Sequence, residues 1–363
     1  MLRTDLPEII TETLPGPKAQ AIIDRREAVN PSAIKCIYPV VIEKGEGAMI
    51  QDVDGNKFLD WIGGVGVLNI GFSHPEVVEA VKAQAEKYFH GMYNVVTHEG
   101  YVALSEKLAQ IAPVKGDKKK VFFANSGAEA DTIAAIVVEP LQGEGGFIPA
   151  PIEWVNAVRK ICDENGILLV ADEVQTGFCR TGRMFATNYW EESGVQPDIL
   201  ATAKSIAAGV PLSAIVAREE IMEASAPGTI GGTFCGNALA CAAALKTIEI
   251  MERDNIAGRS CEIGEKVSKR FNEWKEKYPV IGDVRGLGGM IGLEFVKDQK
   301  TKEPYPEFSA AVIKGCAQKG LMIEGAGTYG NVIRFLAPLV MTDEQLEAGL
   351  DIYESVIKEL LEK

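Results

Sequence analysis

The stretch EWVNAVRKICDENGILLVADEVQTG, residues 153–177, decides the fold class of this 363-residue chain. Its first half is compatible with a helix, and ILLVADE follows as a short apolar run ending in acidic residues, which is typical of a buried strand. Four similar runs are KVFFAN (120–125), AAIVVEP (134–140), DILATAK (198–204) and PLSAIVA (211–217). Their alternation with helix-compatible stretches predicts an α/β domain with a largely parallel sheet. Reactive groups are then expected at the carboxyl ends of the strands.

The two ends of the chain predict a smaller α+β domain. Residues 38–61 hold apolar stretches around turn signals at Lys44-Gly45 and Asp54-Gly55, which predicts an antiparallel meander. After a long helix that follows Asn237 come the strand candidates MIGLEF (290–295) and VIRFL (332–336). We therefore expect three parts, which are the N-terminal part of the small domain (1–61), the large domain (62–255) and the C-terminal small domain (256–363).

The composition disfavours several classes of protein. With 37 basic and 51 acidic residues the net charge is −14, which disfavours binding to nucleic acid or to anionic membranes. No apolar run has the length of a signal peptide or a membrane span. The seven cysteines form no CxxC pair and the three histidines lack the spacing of a metal motif. We expect a cytoplasmic protein with reduced thiols and no metal site.

Two strand ends carry groups suited to catalysis. Asp172 follows ILLVA and places a carboxylate at the active edge of the sheet, although a loop acid or a helix cap explains a single acid there equally well. Lys204 closes DILATAK among apolar and small residues. Such surroundings suit a lysine that must lose a proton to act as a nucleophile, whereas a solvated lysine is the commoner explanation for any single case.

Two further segments could hold a phosphate. Asn125-Ser126-Gly127-Ala128-Glu129 follows KVFFAN, so the N–H groups of a helix N-terminus would face an anion, but the S-x-x-E spacing also fits an ordinary capping box. Thr233 lies in a glycine-rich loop before a long helix, and such loops either approach phosphates or simply turn the chain. A phosphate cradle, a carboxylate for a pyridinium nitrogen and an unprotonated lysine together match the needs of pyridoxal 5′-phosphate (PLP).

With these residues the chain resembles a known family, the class III aminotransferases of fold type I, and within it the 4-aminobutyrate aminotransferase-like group. The resemblance covers nearly the whole chain and rests on motifs in family order, which are GGVGVLNIGFSHPEVVEAV (63–81), FFANSGAEA (122–130), VVEPLQGEGGF (137–147), ADEVQTGFCRTG (171–182), PDILATAKSIAAGVPLSA (197–214), GGTFCGNALACAAAL (231–245) and VRGLGGMIGLEF (284–295). It implies a large, mostly parallel-sheet domain that binds PLP, a smaller α+β domain, and a homodimer with shared active sites.

The resemblance also implies a role for each cofactor residue. Lys204 would bind the cofactor covalently and move a proton between substrate and cofactor. Asp172 would pair with the pyridinium nitrogen, and Gln175 would contact the phenolic oxygen of the ring. The phosphate would be held by Ser126, Gly127 and Ala128, together with Thr233 of the neighbouring subunit.

The same resemblance implies how the substrate is held. Arg334 matches the family arginine that takes a substrate carboxylate, a bidentate task suited to guanidinium. Glu144 resembles the acid that masks this arginine when the amine donor lacks an α-carboxylate. Val65 would shape the pocket wall and Glu139 would lie near the ring, whereas Arg180 is expected to be structural.

The chain departs from the family between two of its motifs. KVFFAN and AAIVV are separated only by residues 126–133, whereas a parallel crossover needs roughly 10 to 12 residues or more. The resemblance skips the family's ring-stacking aromatic here and, in 4-aminobutyrate enzymes, an arginine for the distal carboxylate. We expect a central segment to be missing near Asp131-Thr132. A genuinely shortened chain and a sequence that omits residues of the protein both explain this, and we favour the second because losing central strands exposes apolar sheet edges.

The predicted activity is that of a PLP-dependent aminotransferase that moves an amino group from an ω-amino acid such as 4-aminobutyrate to 2-oxoglutarate by a ping-pong mechanism. Two alternatives stay open. One is an amino-acid racemase or epimerase on the same scaffold, against which Glu144 and Arg334 argue modestly. The other is a truncated noncatalytic homologue, motivated by the missing segment. The sequence does not fix the amine donor.

Overall fold

The structure is a computed structural model and describes residues 4–31, 36–91, 93, 96–124, 135–225 and 231–362. Its helices are α1 (Pro17–Val29), α2 (Gly63–Gly66), α3 (Pro75–Ala85), α4 (Glu99–Ile111), α5 (Ile152–Asn165), α6 (Thr187–Glu191), α7 (Glu219–Met222), α8 (Ala238–Arg253), α9 (Ile256–Lys277), α10 (Pro306–Gln318) and α11 (Asp343–Leu361). Its strands are β1 (Ile42–Glu46), β2 (Met49–Asp52), β3 (Lys57–Asp60), β4 (Lys119–Ala124), β5 (Ile136–Val138), β6 (Leu141–Gln142), β7 (Ile148–Pro149), β8 (Leu169–Asp172), β9 (Ile199–Thr202), β10 (Ser213–Arg218), β11 (Ile281–Leu287), β12 (Met290–Phe295), β13 (Leu321–Met322), β14 (Glu324–Ala326) and β15 (Val332–Phe335). Within the described ranges, no helix has both the length and the apolar character needed to cross a membrane.

The central sheet has five strands in the order β4-β10-β9-β8-β5. β5, β8 and β9 are parallel neighbours, and β4 runs in their direction because β10 is antiparallel to both β9 and β4. The predicted α/β architecture is therefore confirmed, and four of the five strands share one direction. The exception, β10, contains the run PLSAIVA. The connection from β9 to β10 holds only the 3₁₀ turn Lys204–Ala207, which is too short for the crossover that a parallel strand requires.

The α5–β8 unit shows how the sequence builds this sheet. Val155 and Cys162 of α5 are buried on one helix face. Gly166 then takes a left-handed conformation with φ of 66°, which ends the helix at low steric cost. Leu169 and Ala171 of β8 are fully buried next to this face, so the strand carries Asp172 to its carboxyl end.

The N-terminal meander is confirmed, with one of its two turns displaced. β1, β2 and β3 pair antiparallel in chain order, and Asp54-Gly55 lies in the turn between β2 and β3. The prediction of a turn at Lys44-Gly45 is wrong, because both residues lie inside β1. The chain reverses at Gly47, whose φ of 60° is accessible to glycine without a Cβ penalty. β3 also pairs parallel with β13, so the two ends of the chain share one sheet.

A second sheet is entirely antiparallel and has the order β11-β12-β15-β14. The strand candidates MIGLEF and VIRFL are confirmed as β12 and β15. In the register of this sheet Arg334 of β15 stands between Gly292 of β12 and Glu324 of β14. The domain boundaries at 61/62 and 255/256 stay a prediction.

The strands that flank the predicted junction form opposite edges of the central sheet, with β4 at one edge and β5 at the other. The junction itself, Asp131-Thr132, lies outside the described residues. Along the β5 edge, Val137 and Trp154 are each nearly half exposed. Both line a cavity of about 590 Å³ that reaches Asp172. Two apolar side chains are therefore half exposed beside the site, while the missing segment itself stays a prediction.

Candidate active site

Lys204 lies two residues beyond the end of β9 and begins the 3₁₀ turn Lys204–Ala207. Its φ of 48° lies in the left-handed region, where residues other than glycine are strained. The hydroxyl of Ser205 donates a hydrogen bond of 2.6 Å to the carbonyl oxygen of Gly66. The lysine turn is thereby fastened to the glycine-rich turn Gly63–Gly66, which helps to hold the strained conformation.

The surroundings of Lys204 disfavour its ammonium form. Burial lowers the pKa of Lys204 below its ordinary value. Smaller effects come from nearby charges, namely those of Glu144, Arg334, Asp172 and Glu139. These five side chains therefore share one electrostatic neighbourhood. A lowered pKa raises the fraction of free amine, which is the form that acts as a nucleophile or base.

Two carboxylates reach the same region from neighbouring strand ends. The Oδ1 atom of Asp172 accepts a 3.0 Å hydrogen bond from the backbone N–H of Val174. Glu139 directly follows β5 and accepts a 2.8 Å hydrogen bond from the N–H of Gly143, and burial raises its pKa. Both carboxylates line the cavity at the β5 edge. Glu139, Asp172 and Lys204 thus lie at the carboxyl ends of the parallel strands β5, β8 and β9. The pattern of strands predicts reactive groups at this edge.

Gln175 lies three residues after Asp172. Its Oε1 atom is buried and has no hydrogen-bond partner within the described part of the chain. A Cβ at Gly143 would lie 2.2 Å from Oε1, so a larger residue there would displace the amide. A Cβ at Gly66 would lie 3.5 Å from the Cγ of Gln175, so the glycine-rich turn also lies close to this side chain. Val65 in that turn has φ of 60°, an unusual conformation for a β-branched residue.

Arg334 is buried in the second sheet, with only 3% of its side chain exposed. Its Nη1 donates to Oε1 of Glu144 at 2.6 Å. Its Nη2 lies 2.8 Å from Oε2 of Glu324. Its Nε is buried, and no described residue accepts a hydrogen bond from it. One guanidinium therefore contacts two carboxylates and keeps an unused donor.

Glu144 combines a fixed backbone with an exposed side chain. Its carbonyl oxygen accepts a 2.9 Å hydrogen bond from the N–H of Gly327. Its side chain is 74% exposed although it pairs with Arg334. The loop that holds Glu144 and Gly146 lies close to Gly292, the residue opposite Arg334 in β12. A Cβ at Gly292 would be only 3.3 Å from the carbonyl oxygen of Gly146. The loop is thus anchored while the carboxylate faces solvent and can leave the arginine.

Glu324 is a site residue that the sequence reasoning missed. It occurs in LMIEGA, residues 321–326, as the single charge in a run of apolar and small residues. Burial raises the pKa of its carboxyl group. An acid inside such a run is the signal that could have drawn attention, but only the β14–β15 register shows that it faces Arg334.

The remaining predicted residues divide into two groups. Ser126, Gly127 and Ala128 lie outside the described residues. Thr233 is described and exposed, and it precedes α8, whose first turn is capped by Asn237 Oδ1 accepting from the N–H of Ala240.

Arg180 has a different environment from that of Arg334. It is fully buried and donates to the Oδ1 of Asn69 and to the carbonyl oxygens of Gly289 and Ala337. Burial lowers its pKa to about 9. These acceptors lie in three separate segments, so Arg180 ties parts of the chain together, as a structural residue would.

The residues that the structure places together fit PLP. Gln175 offers a buried polar atom that lacks a partner among the residues described, Asp172 offers a carboxylate at a strand end, and Lys204 offers an amine whose ammonium form is disfavoured. Arg334 lies in the same neighbourhood and can bind a carboxylate. An α/β fold that gathers these groups defines a PLP-dependent enzyme of fold type I that acts on amino acids.

Comparison with known proteins identifies the family. The family described as aminotransferase class-III matches residues 31–132 and 130–357. The chain belongs to the class III aminotransferases and is a PLP-dependent transaminase. Two solved structures with the same fold are an aminotransferase of Bacillus anthracis, with a TM-score of 0.87, 26% identity and coverage of 96% of this chain and 100% of that one, and the acetylornithine aminotransferase of Elizabethkingia anophelis, with a TM-score of 0.83, 28% identity and coverage of 94% and 99%.

Two similar proteins are aminotransferases that are named for ω-amino acids. A probable 4-aminobutyrate aminotransferase of Bacillus subtilis (strain 168) is 38% identical over 405 residues, which cover 87% of this chain and 92% of that protein. A 5-aminovalerate aminotransferase of Pseudomonas putida is 36% identical over 423 residues, which cover 94% and 99%.

These matches also bear on the predicted junction. Both alignments are longer than the 363 residues of this chain, so part of each relative lies opposite no residue here. The family match is divided into two segments that meet at residues 130–132. This is where the sequence predicts a missing segment.

Proposed function

We propose that this transaminase moves an amino group from an ω-amino acid such as 4-aminobutyrate to 2-oxoglutarate by a ping-pong mechanism. The names of the similar enzymes support this class of donor. The observation that carries the proposal is the 2.6 Å contact between Arg334 and Glu144 in the neighbourhood of Lys204. An arginine that is masked by a movable acid suits an enzyme that must accept substrates with and without an α-carboxylate.

The proposed cofactor site uses residues from three strand ends. Bound PLP supplies an electron sink for negative charge that develops on the substrate carbon. Asp172 would face its pyridinium nitrogen and Gln175 its phenolic oxygen. The phosphate would be held by Ser126, Gly127, Ala128 and the partner subunit's Thr233.

Lys204 would act at the substrate carbon that bears the amino group. Its lowered pKa keeps a larger fraction of Nζ unprotonated near neutral pH. The free amine can take the proton from this carbon and return it at the other end of the transfer. The left-handed turn fastened to Gly66 would fix the direction from which Nζ reaches the substrate.

Arg334 and Glu144 would distinguish the two half-reactions. With an ω-amino acid, the reacting carbon carries no carboxylate, and Glu144 keeps the guanidinium paired. With 2-oxoglutarate, the α-carboxylate would replace Glu144, whose exposed side chain can turn into solvent. Val65 would form part of the pocket wall, and Glu139 would lie near the ring.

The proposal includes a homodimer with shared sites. Thr233 is exposed in the single chain, so it is free to serve another subunit. Phe234 and Phe89 are each more than 60% exposed, and His90 packs against Phe234, which makes an apolar surface suited to burial by a partner. The sequence holds an odd number of cysteines, seven, with no CxxC pair, which supports a reducing, cytoplasmic location.

A donor panel tests the proposed activity. PLP-loaded protein is mixed with 4-aminobutyrate, 5-aminovalerate, β-alanine, acetylornithine or glutamate, and the cofactor absorbance is followed before 2-oxoglutarate is added. We expect ω-amino acids and glutamate to convert the cofactor to its amino form and 2-oxoglutarate to reverse the change. A racemase would leave the absorbance unchanged with glutamate, and a noncatalytic homologue would show no cofactor absorbance at all.

A further inference from the structure

Arg334 has a second acidic partner that the exchange at Glu144 does not require. Glu144 is 74% exposed, whereas the side chain of Glu324 is only 16% exposed. The two carboxylates therefore differ in freedom although both lie within 3 Å of the same guanidinium. The acid in the strand has less room to move away from the arginine than the exposed one.

The position of Glu324 is set by the backbone. Its Cα is the direct cross-strand partner of Arg334 in the antiparallel β14–β15 pair. Residues in such pairs project from the same face of the sheet with their Cβ atoms close together. No rearrangement of a loop can separate Glu324 from Arg334 while this pair persists.

The contact between the two residues is chiefly one of charge. Oε2 of Glu324 lies 2.8 Å from Nη2 of Arg334, so the two side chains form an ion pair. Nε of Arg334, by contrast, has no hydrogen-bond partner among the described residues. Glu324 thus reduces the net charge of the site while Nε stays available to a further carboxylate.

We propose that Glu324 is a resident counter-ion that lowers the affinity of Arg334 for every additional carboxylate. Glu144 and the α-carboxylate of a substrate are affected alike, so Glu324 weakens both pairs and leaves the balance between them nearly unchanged. A second negative charge within a few ångströms of a buried site opposes binding of a third carboxylate. This inference rests on the proposed function, because it assumes that Glu144 and a substrate carboxylate compete for Arg334.

A double-mutant cycle separates the two effects of Glu324. In wild-type protein, Glu324 repels both the departing Glu144 and the incoming carboxylate. The two effects nearly cancel in the Kd of the incoming carboxylate. In a Glu144→Gln background only the incoming carboxylate is charged. Glu324→Gln should therefore tighten carboxylate binding by about tenfold in the Glu144→Gln background and by much less in the wild-type background.

The measurement is the Kd of glutarate, an unreactive dicarboxylate, determined by calorimetry on PLP-loaded protein at fixed salt. Glu324→Met, which also removes the charge, is a second variant in case Glu324→Gln is unstable. Glu354→Gln is the matched control, since Glu354 is a partly buried acid that contacts Arg270 away from this site. The control should leave the Kd of glutarate unchanged.

The outcomes are distinct. A lower Kd for glutarate in both charge-removing variants of the Glu144→Gln background supports the proposal. An unchanged or higher Kd overturns it, because Glu324 would then be neutral or would position Arg334 for binding. Wild-type protein that binds PLP and transfers amino groups while the cycle shows no such gain refutes this inference alone. Wild-type protein that does neither refutes the proposed function.

Discussion

Two buried arginines, Arg334 and Arg180, differ in the kind of partner that each contacts. Arg334 contacts two carboxylates, one of which is largely exposed, and keeps a buried donor that has no partner in the described ranges. Arg180 donates to one side-chain amide and two backbone carbonyls, all neutral and all buried. The first guanidinium can exchange partners, whereas the second has partners that cannot leave without unfolding.

This difference separates a binding group from a structural one more clearly than burial does. A buried charge with neutral partners is destabilised as an ion, which is why the pKa of Arg180 is lowered to about 9. Asp60 is a second example, since it accepts hydrogen bonds from the N–H groups of Ile62 and Gly63, and burial raises its pKa to about 6. Buried groups with neutral partners stabilise the fold around the site. An ion pair with an exposed member, such as Arg334 with Glu144, can exchange one carboxylate for another.

The largest expected effect follows from removing the structural arginine. Arg180→Met leaves the Oδ1 of Asn69 and the carbonyls of Gly289 and Ala337 without a donor, so the free energy of unfolding should fall by roughly 3–5 kcal/mol. Urea unfolding measures this. Arg183→Met, at an exposed arginine of the same loop, should change it by less than about 1 kcal/mol. Equal effects of the two substitutions on the free energy of unfolding would mean that the hydrogen bonds of Arg180 do not stabilise the fold.

Asp60 gives the next largest effect and a pH signature. Between its ordinary pKa of 3.8 and about 6 in the folded protein, the native state holds more protons than the unfolded state. The contribution of Asp60 to stability is therefore fully present below about pH 4 and is lost as the pH rises through about 6, a change of roughly 3 kcal/mol. Asp60→Asn should remove this component, so the difference in unfolding free energy between wild type and variant should shift by that amount. Parallel pH curves would contradict the assignment.

Arg334→Lys tests the exchanging arginine. An ammonium cannot replace the fork of guanidinium donors, so the KM for 2-oxoglutarate should rise by about 30-fold, equivalent to about 2 kcal/mol. Stability should change by less than it does in Arg180→Met, because the acids near Arg334 can reach solvent or protonate. A large loss of stability with an unchanged KM would mean that Arg334 is a structural residue and does not bind the substrate carboxylate.

Glu144→Gln is expected to have the smallest effect. Removing the movable acid leaves Arg334 unmasked, so the KM for 4-aminobutyrate should rise by a few-fold while the KM for glutamate falls or stays the same. Steady-state kinetics with both donors give this ratio. An equal rise in both KM values would mean that Glu144 holds the loop and does not mask the arginine.

The sequence predicted the parts of this site that depend on local pattern. Asp172 and Lys204 were expected at strand ends because buried strands read as short apolar runs, and the structure brings both to one edge of the sheet. The antiparallel direction of β10, the Glu324–Arg334 pair and the acceptors of Arg180 could not be predicted in this way. Each depends on which distant segments become neighbours, and a one-dimensional pattern carries no information on such pairing.

The most direct test of the account concerns Lys204. PLP-loaded protein is reduced with sodium borohydride, digested, and mapped by mass spectrometry for the peptide that carries the cofactor. The account predicts the label on Lys204 and its loss in Lys204→Ala, with Lys119→Ala as a control because burial lowers the pKa of that lysine as well. A label on Lys119 or another lysine, or no label on wild-type protein, would contradict it.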